Sequence, residues 1–183
     1  MAQKENNIIP MIFDEAFYRK MATQKWRQQD YKKAAEYYEK VLELSPKDFD
    51  IQQHYAQCLV KLNIGKKAER LFYENIVKDF HVAESFYELS QLNIELNEPN
   101  KAFLFGINYV ILSEDKDFRE MLEKTFAVAY TNEQKIELEA QLFSTQLLFQ
   151  FLFSQGRLEE ARTYILNQSY EIQQHRVIRN LLA

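Results

Sequence analysis

Small residues recur at a fixed interval along the first half of the chain. Ala34, Ala68 and Ala102 are each 34 positions apart, and Ala22, Ala56 and Ser90 keep the same interval. So do two sets of larger apolar residues: Met21, Tyr55 and Leu89, then Leu42, Ile76 and Val110. Tyr18 and Phe86 hold an aromatic at a further position, where Gln52 breaks the series. The apolar residues come at helical spacing, which predicts amphipathic helices. In the first copy these span about 14–28 and 31–44. Asp14 is a fitting N-cap, and Glu15 follows in the first turn, where the helix dipole favours an acid. Ser45-Pro46 ends the second helix, because the residue before a proline avoids helical dihedrals. A small residue in each helix lets the paired backbones approach, and the larger residues fill the space on either side. One hairpin alone leaves an apolar face open, so at least three copies must stack.

Composition narrows the class further. The 183 residues include three Gly and three Pro, against roughly 12% for the two together in an average chain. Hairpin corners and phosphate loops depend on glycine, so all-β folds, dinucleotide folds and P-loop enzymes are excluded. Aromatics at 14% and AVILMFWYC residues at 46% supply a real core. Lys and Arg total 23 against 27 Asp and Glu, a net charge of −4 without the basic footprint of a nucleic-acid binder. Cys58 stands alone, and His54, His81 and His175 are scattered, so no metal-ligand spacing exists and no cofactor is expected. The N-terminus lacks the form of a signal peptide, and no apolar run approaches the ~20 residues of a membrane span. A cytoplasmic protein is expected. No nucleophile motif or phosphate loop is present, and catalysis is not expected.

The stretch QDYKKAAEYYEKVLELSP sets Tyr31, Ala34, Tyr38, Leu42 and Pro46 at signature positions of a known repeat. The second copy keeps Ala56, Gly65, Ala68 and Phe72, with Phe80 in place of the closing proline. The third keeps Phe86, Leu89 and Ala102, with Gly106 where an aromatic is usual. Over residues 14–113 the chain resembles the tetratricopeptide repeat family, which shares the 34-residue period. The resemblance implies an all-α, right-handed solenoid of antiparallel helix pairs, here with a degenerate helical C-terminal part.

The expected organisation is an N-terminal extension (1–13), three repeats (14–113), an irregular helical insert or decayed repeat (114–141) and a degenerate fourth repeat (142–175). Gly156, Leu158 and Ala161 open the second helix of that fourth copy, and Ala161 lies 59 residues after Ala102. Residues 176–183 read as the start of a further helix. A solenoid needs a polar terminal face, so the chain is expected to be the N-terminal part of a longer protein, the alternative being a short final helix that folds back or dimerises. The apolar residues Ile8, Ile9, Pro10, Met11, Ile12 and Phe13 form either a cap on the first hairpin or an arm docking in a groove.

The resemblance also implies a protein-binding superhelix whose groove is lined by the first helix of each pair. On that geometry the groove residues are Arg19, Thr23 and Arg27, then Gln53, Gln57 and Lys61, then Tyr87, Gln91 and Glu95. The stripe runs from basic to acidic, an arrangement that would orient a peptide. Glu84, Glu88 and Glu95 would repel a carboxylate terminus, which argues against a heat-shock co-chaperone. The expected function is therefore a non-catalytic scaffold binding a protein or peptide, with no nucleic acid and no membrane span. The alternatives are a dedicated chaperone of a secretion-type client and the peptide-sensing regulatory domain of a longer protein. The run Leu142 to Phe153 is apolar nearly all round, which implies burial in the core or a homo-oligomer interface.

Overall fold

The computed structural model describes residues 14–127 and 132–182, and among these it forms eleven α-helices and no strand. The expected extension 1–13 and the final Ala183 lie outside the described residues. Three antiparallel pairs come first: α1 (Glu15–Arg27) with α2 (Tyr31–Leu44), α3 (Phe49–Lys61) with α4 (Gly65–Val77), and α5 (Val82–Glu95) with α6 (Pro99–Ser113). Each pair also packs on the next, as a stacked array requires. The recurrent small residues sit where the backbones meet. Ala22, Ala34, Ala56, Ala68, Ser90 and Ala102 are all at 0% exposure, flanked by buried Tyr38, Phe72, Leu89 and Phe105.

The turns repeat as faithfully as the core. Gln29, Asn63 and Asn97, again 34 apart, take left-handed backbone with φ of 59°, 59° and 57°. After each, an N–H reaches back across the helix end: Asp30 to the Lys25 carbonyl (3.0 Å), Ile64 to Leu59 (2.8 Å) and Glu98 to Asn93 (2.9 Å). This bond satisfies a carbonyl that the helix end would otherwise leave open. At the helix starts Asp14, Asp30 and Asp48 accept the N–H of Phe17, Lys33 and Ile51 at 2.8, 3.3 and 3.0 Å.

Beyond residue 113 the array changes direction. α7 (Lys116–Phe126) packs on α6, and α8 (Glu133–Ser154) is one continuous helix of 22 residues. The boundary expected between 141 and 142 therefore falls inside α8. This helix lies along α6 and reaches α4, the second helices of their pairs, and returns through α9 (Leu158–Leu166). The turn between them repeats the earlier ones: Gly156 has φ 72°, and the Arg157 N–H bonds to the Leu152 carbonyl at 3.1 Å. Gly156 follows Asn97 by 59 residues, the offset that separates Ala161 from Ala102, and Ala161 is likewise fully buried. Arg157 then fastens the returning hairpin to α4. Its guanidinium meets both oxygens of Glu74 at 2.6 and 2.9 Å, and Glu160 is shared with Lys78 at 2.5 Å. α10 (Tyr170–Gln174) and α11 (Arg176–Leu182) close the far side, where Ile165, Ile172 and Ile178 pack with Leu142 and Phe149.

The run Leu142 to Phe153 is thus covered by its own chain on two sides. Leu148 and Leu152 are buried, and Phe143, Leu147 and Phe151 pack on the main core. Of the large apolar side chains in this run only Phe153, at 57% exposure, stands well out. Gly106 has a similar local explanation. A Cβ there would come within 2.8 Å of both Leu122 methyls and 3.0 Å of the Ser90 hydroxyl, so α7 fills the space an aromatic would take.

Candidate functional site

The first helices share one face, and side chains link them along it. Arg19 on α1 bonds Glu15 at 2.8 Å and also reaches Asp48, the N-cap of α3. Burial acts to raise the Asp48 carboxyl, but the Ile51 N–H and the Arg19 guanidinium outweigh it and hold it below the usual range. From α3, Asp50 meets the His81 ring at 2.6 Å ahead of α5. Gln57 donates to Glu88 on α5 at 2.9 Å. Tyr87 then packs edge-on against Tyr109 of α6, with rings 5.3 Å apart, and lies 5.3 Å from Phe118 of α7.

Eight of the nine residues expected to line the groove reach the surface of this face to some degree. Thr23, Arg27, Lys61, Tyr87 and Glu95 are exposed, while Arg19, Gln57 and Gln91 are half-buried. Gln53 is the correction. It is 4% exposed, and its carbonyl accepts Asn75 Nδ2 at 2.6 Å and Ser85 Oγ at 3.1 Å. Beside it, Gln52 donates to Asn75 Oδ1 at 2.8 Å. The consecutive glutamines therefore build a buried polar junction between α3, α4 and α5, and Gln53 is not available to a partner. Arg19 is also largely committed, because its guanidinium joins two carboxylates of its own chain.

Glu88, outside the expected stripe and named above only for repelling a carboxylate terminus, carries more weight on this face. Burial raises its carboxyl above the usual range; the Gln57 amide and the Lys61 charge oppose this, and Glu95 adds to it. This is a partly desolvated carboxylate with an amide as its hydrogen-bond partner and no direct ion pair among the described residues. The i, i+4 spacing of Glu84 and Glu88 was visible in the sequence, but the burial that distinguishes Glu88 depends on α3 packing beside it. At the other end, Lys20, Thr23, Gln24 and Arg27 line an open depression on α1. The face is basic at α1 and acidic with one aromatic at α5. Among the described residues no group of His, Cys, Asp and Glu is arranged to hold a metal ion. No helix there is long and apolar enough to cross a membrane.

Residues 25–72, from the end of α1 into α4, match the family model described as tetratricopeptide repeat. No curated protein sequence matches the chain significantly. Among solved structures the chain is similar to the crystal structure of MamA protein, with a TM-score of 0.54. The two are 18% identical, and the match covers 87% of this chain and 91% of that one. At that identity the likeness speaks for the fold alone.

Proposed function

With a tetratricopeptide-repeat protein as the premise, we propose that this chain is a scaffold holding an extended segment of a partner protein along the face of α1, α3 and α5. The observation that carries the reading is the graded chemistry of that face. Lys20 and Arg27 stand exposed at α1, Lys61 at α3, and Glu84, Glu95 and the half-buried Glu88 at α5 beside Tyr87. A segment that is acidic over α1 and basic over α5 complements it in one direction only. Each exposed pair contributes about 0–1 kcal/mol, so the gradient sets direction and register more than affinity. A cation reaching Glu88 gains more, because that carboxylate is already partly out of water.

The polar character of this face supports a charged segment over the apolar client of a dedicated chaperone. The test is selection from a displayed peptide library on the wild-type chain and on the Arg27→Glu, Lys61→Glu double variant. Both are exposed, so the variant retains the fold, as a thermal melt will verify. Arg19 is left intact because it bridges α1 to α3. Segments acidic at one end and basic at the other are expected from the wild type, with the acidic end lost from those selected on the variant. The same segments from both proteins would sink the proposal.

A further inference from the structure

The returning hairpin leaves a cleft between the repeats and itself, which borders α5 but is lined by none of the residues of the face just described. It has a volume of about 380 Å³ and takes its walls from α4, α5 and α6 on one side and α8, α9 and α10 on the other. Neither half encloses it alone. Ile76, Val82, Phe86, Ile111 and Ile172 give it an apolar lining. Among the described residues that line it, Asp79 is the single charged one, and it is exposed. Ligand pockets are of this kind: a few hundred Å³, mostly apolar, with a small number of polar groups that fix orientation.

The polar groups of the cleft are incompletely used. Asn108, 5% exposed, donates both amide protons, to the Leu104 carbonyl at 2.8 Å and the Ala140 carbonyl at 2.9 Å. Among the described residues its oxygen has only Ser144 Oγ, at 3.4 Å. That hydroxyl has one proton to give and also lies 3.1 Å from the Gln141 carbonyl. When it donates there, the buried Asn108 oxygen is left without a donor, a deficit that costs about 1–3 kcal/mol. Tyr164 also lines the cleft, and its hydroxyl has no hydrogen-bond partner among the described residues. Burial raises its pKa, so it stays neutral and able to donate or accept.

We infer that this cleft binds a small uncharged molecule with an apolar, ring-sized body and one hydrogen-bond donor that satisfies the Asn108 oxygen. An anionic ligand is disfavoured, because the charged lining residue, Asp79, has the same sign, and a cation would pair with Asp79 in solvent rather than enter the apolar part of the cleft. A purely apolar ligand would leave the Asn108 oxygen as it is. Water alone fits the polar end but leaves the five apolar side chains facing it.

The experiment uses the full chain and two probes of equal size, phenol and toluene, with affinities read by ligand-observed NMR. Both are expected to bind the wild type. Asn108→Leu removes the acceptor and keeps an apolar wall, so it should lower the phenol-to-toluene affinity ratio at least fivefold. Ile111→Trp fills the cleft and should abolish both. In the wild type, intermolecular NOEs from phenol to the methyls of Ile76, Val82 and Ile111 are expected, a readout that stands even if the tryptophan variant fails to fold. Absence of binding, absence of those NOEs or an unchanged ratio in Asn108→Leu would each overturn the inference.

Discussion

Shortening Leu148 tests how the second half of the chain is held. Leu148 is 1% exposed and joins α8 to the main core beside Phe105, Phe143 and Phe151. Leu148→Ala removes buried methyl groups and leaves a cavity, which in well-packed cores costs about 2.7–5.0 kcal/mol. Against a total stability of about 5–15 kcal/mol that is a large fraction. Taking about 3 kcal/mol, the melting temperature should fall by roughly 6–12 °C for a chain of this size. Phe153, further along the same helix, is the control. It is 57% exposed and only stacks on Phe149 with rings 5.8 Å apart, so Phe153→Ala should cost less than about 1 kcal/mol. Urea unfolding followed by circular dichroism gives both values, with the midpoint moving and the slope unchanged. If Leu148→Ala costs under about 1 kcal/mol and Phe153→Ala costs more, the fold-back packing is wrong. If light scattering then finds an oligomer that Phe153→Ala dissolves, the apolar helix is a subunit interface.

Three further outcomes follow from particular contacts. Gly156 holds φ 72°, and a Cβ there would meet nothing within 4 Å, so Gly156→Ala should cost about 1 kcal/mol in chemical denaturation purely through backbone strain; no loss would mean that the turn is not left-handed. Glu88 has a raised folded pKa, so its ionisation opposes folding, and its contribution is best below the unfolded carboxylate value and is lost as pH rises through the folded one. Glu88→Gln should therefore be the more stable protein at pH 7, with the advantage fading towards pH 4 in paired thermal melts; a constant difference would contradict the burial assigned to Glu88. Arg157→Met should destabilise by about 1–3 kcal/mol, because it strands Glu74 and leaves Glu160 to Lys78 alone, and hydrogen exchange should show the loss concentrated in α9 and α4 rather than in α1 and α2.

Much of the repeat region was readable because its signals are local. Ala34, Ala68 and Ala102 announce the close approach of paired helices, and all three are fully buried. Asp14 announces a cap and forms one. The left-handed turn at Gln29 was less readable, since glutamine has no special liking for that conformation and only its spacing from Asn63 and Asn97 reveals it. The direction of α8 was not readable at all. A helix apolar nearly all round does not say which neighbour covers which side, and the covering residues lie as far away in sequence as Tyr73 and Phe105. Gln53 was misplaced for the same reason. Its helical position matches the stripe, but its burial depends on Asn75 and Ser85, 22 and 32 residues away.

The central claim is that a partner segment lies on α1, α3 and α5, and the most direct measurement is to see which amides it protects. Hydrogen exchange of the full chain, with and without the tightest peptide from the wild-type selection, would locate it. Protection centred on Thr23 to Arg27, Gln57 to Lys61 and Tyr87 to Glu95 is the expected result. Protection confined to α8 through α11, with the first helices of the three pairs unchanged, would contradict it.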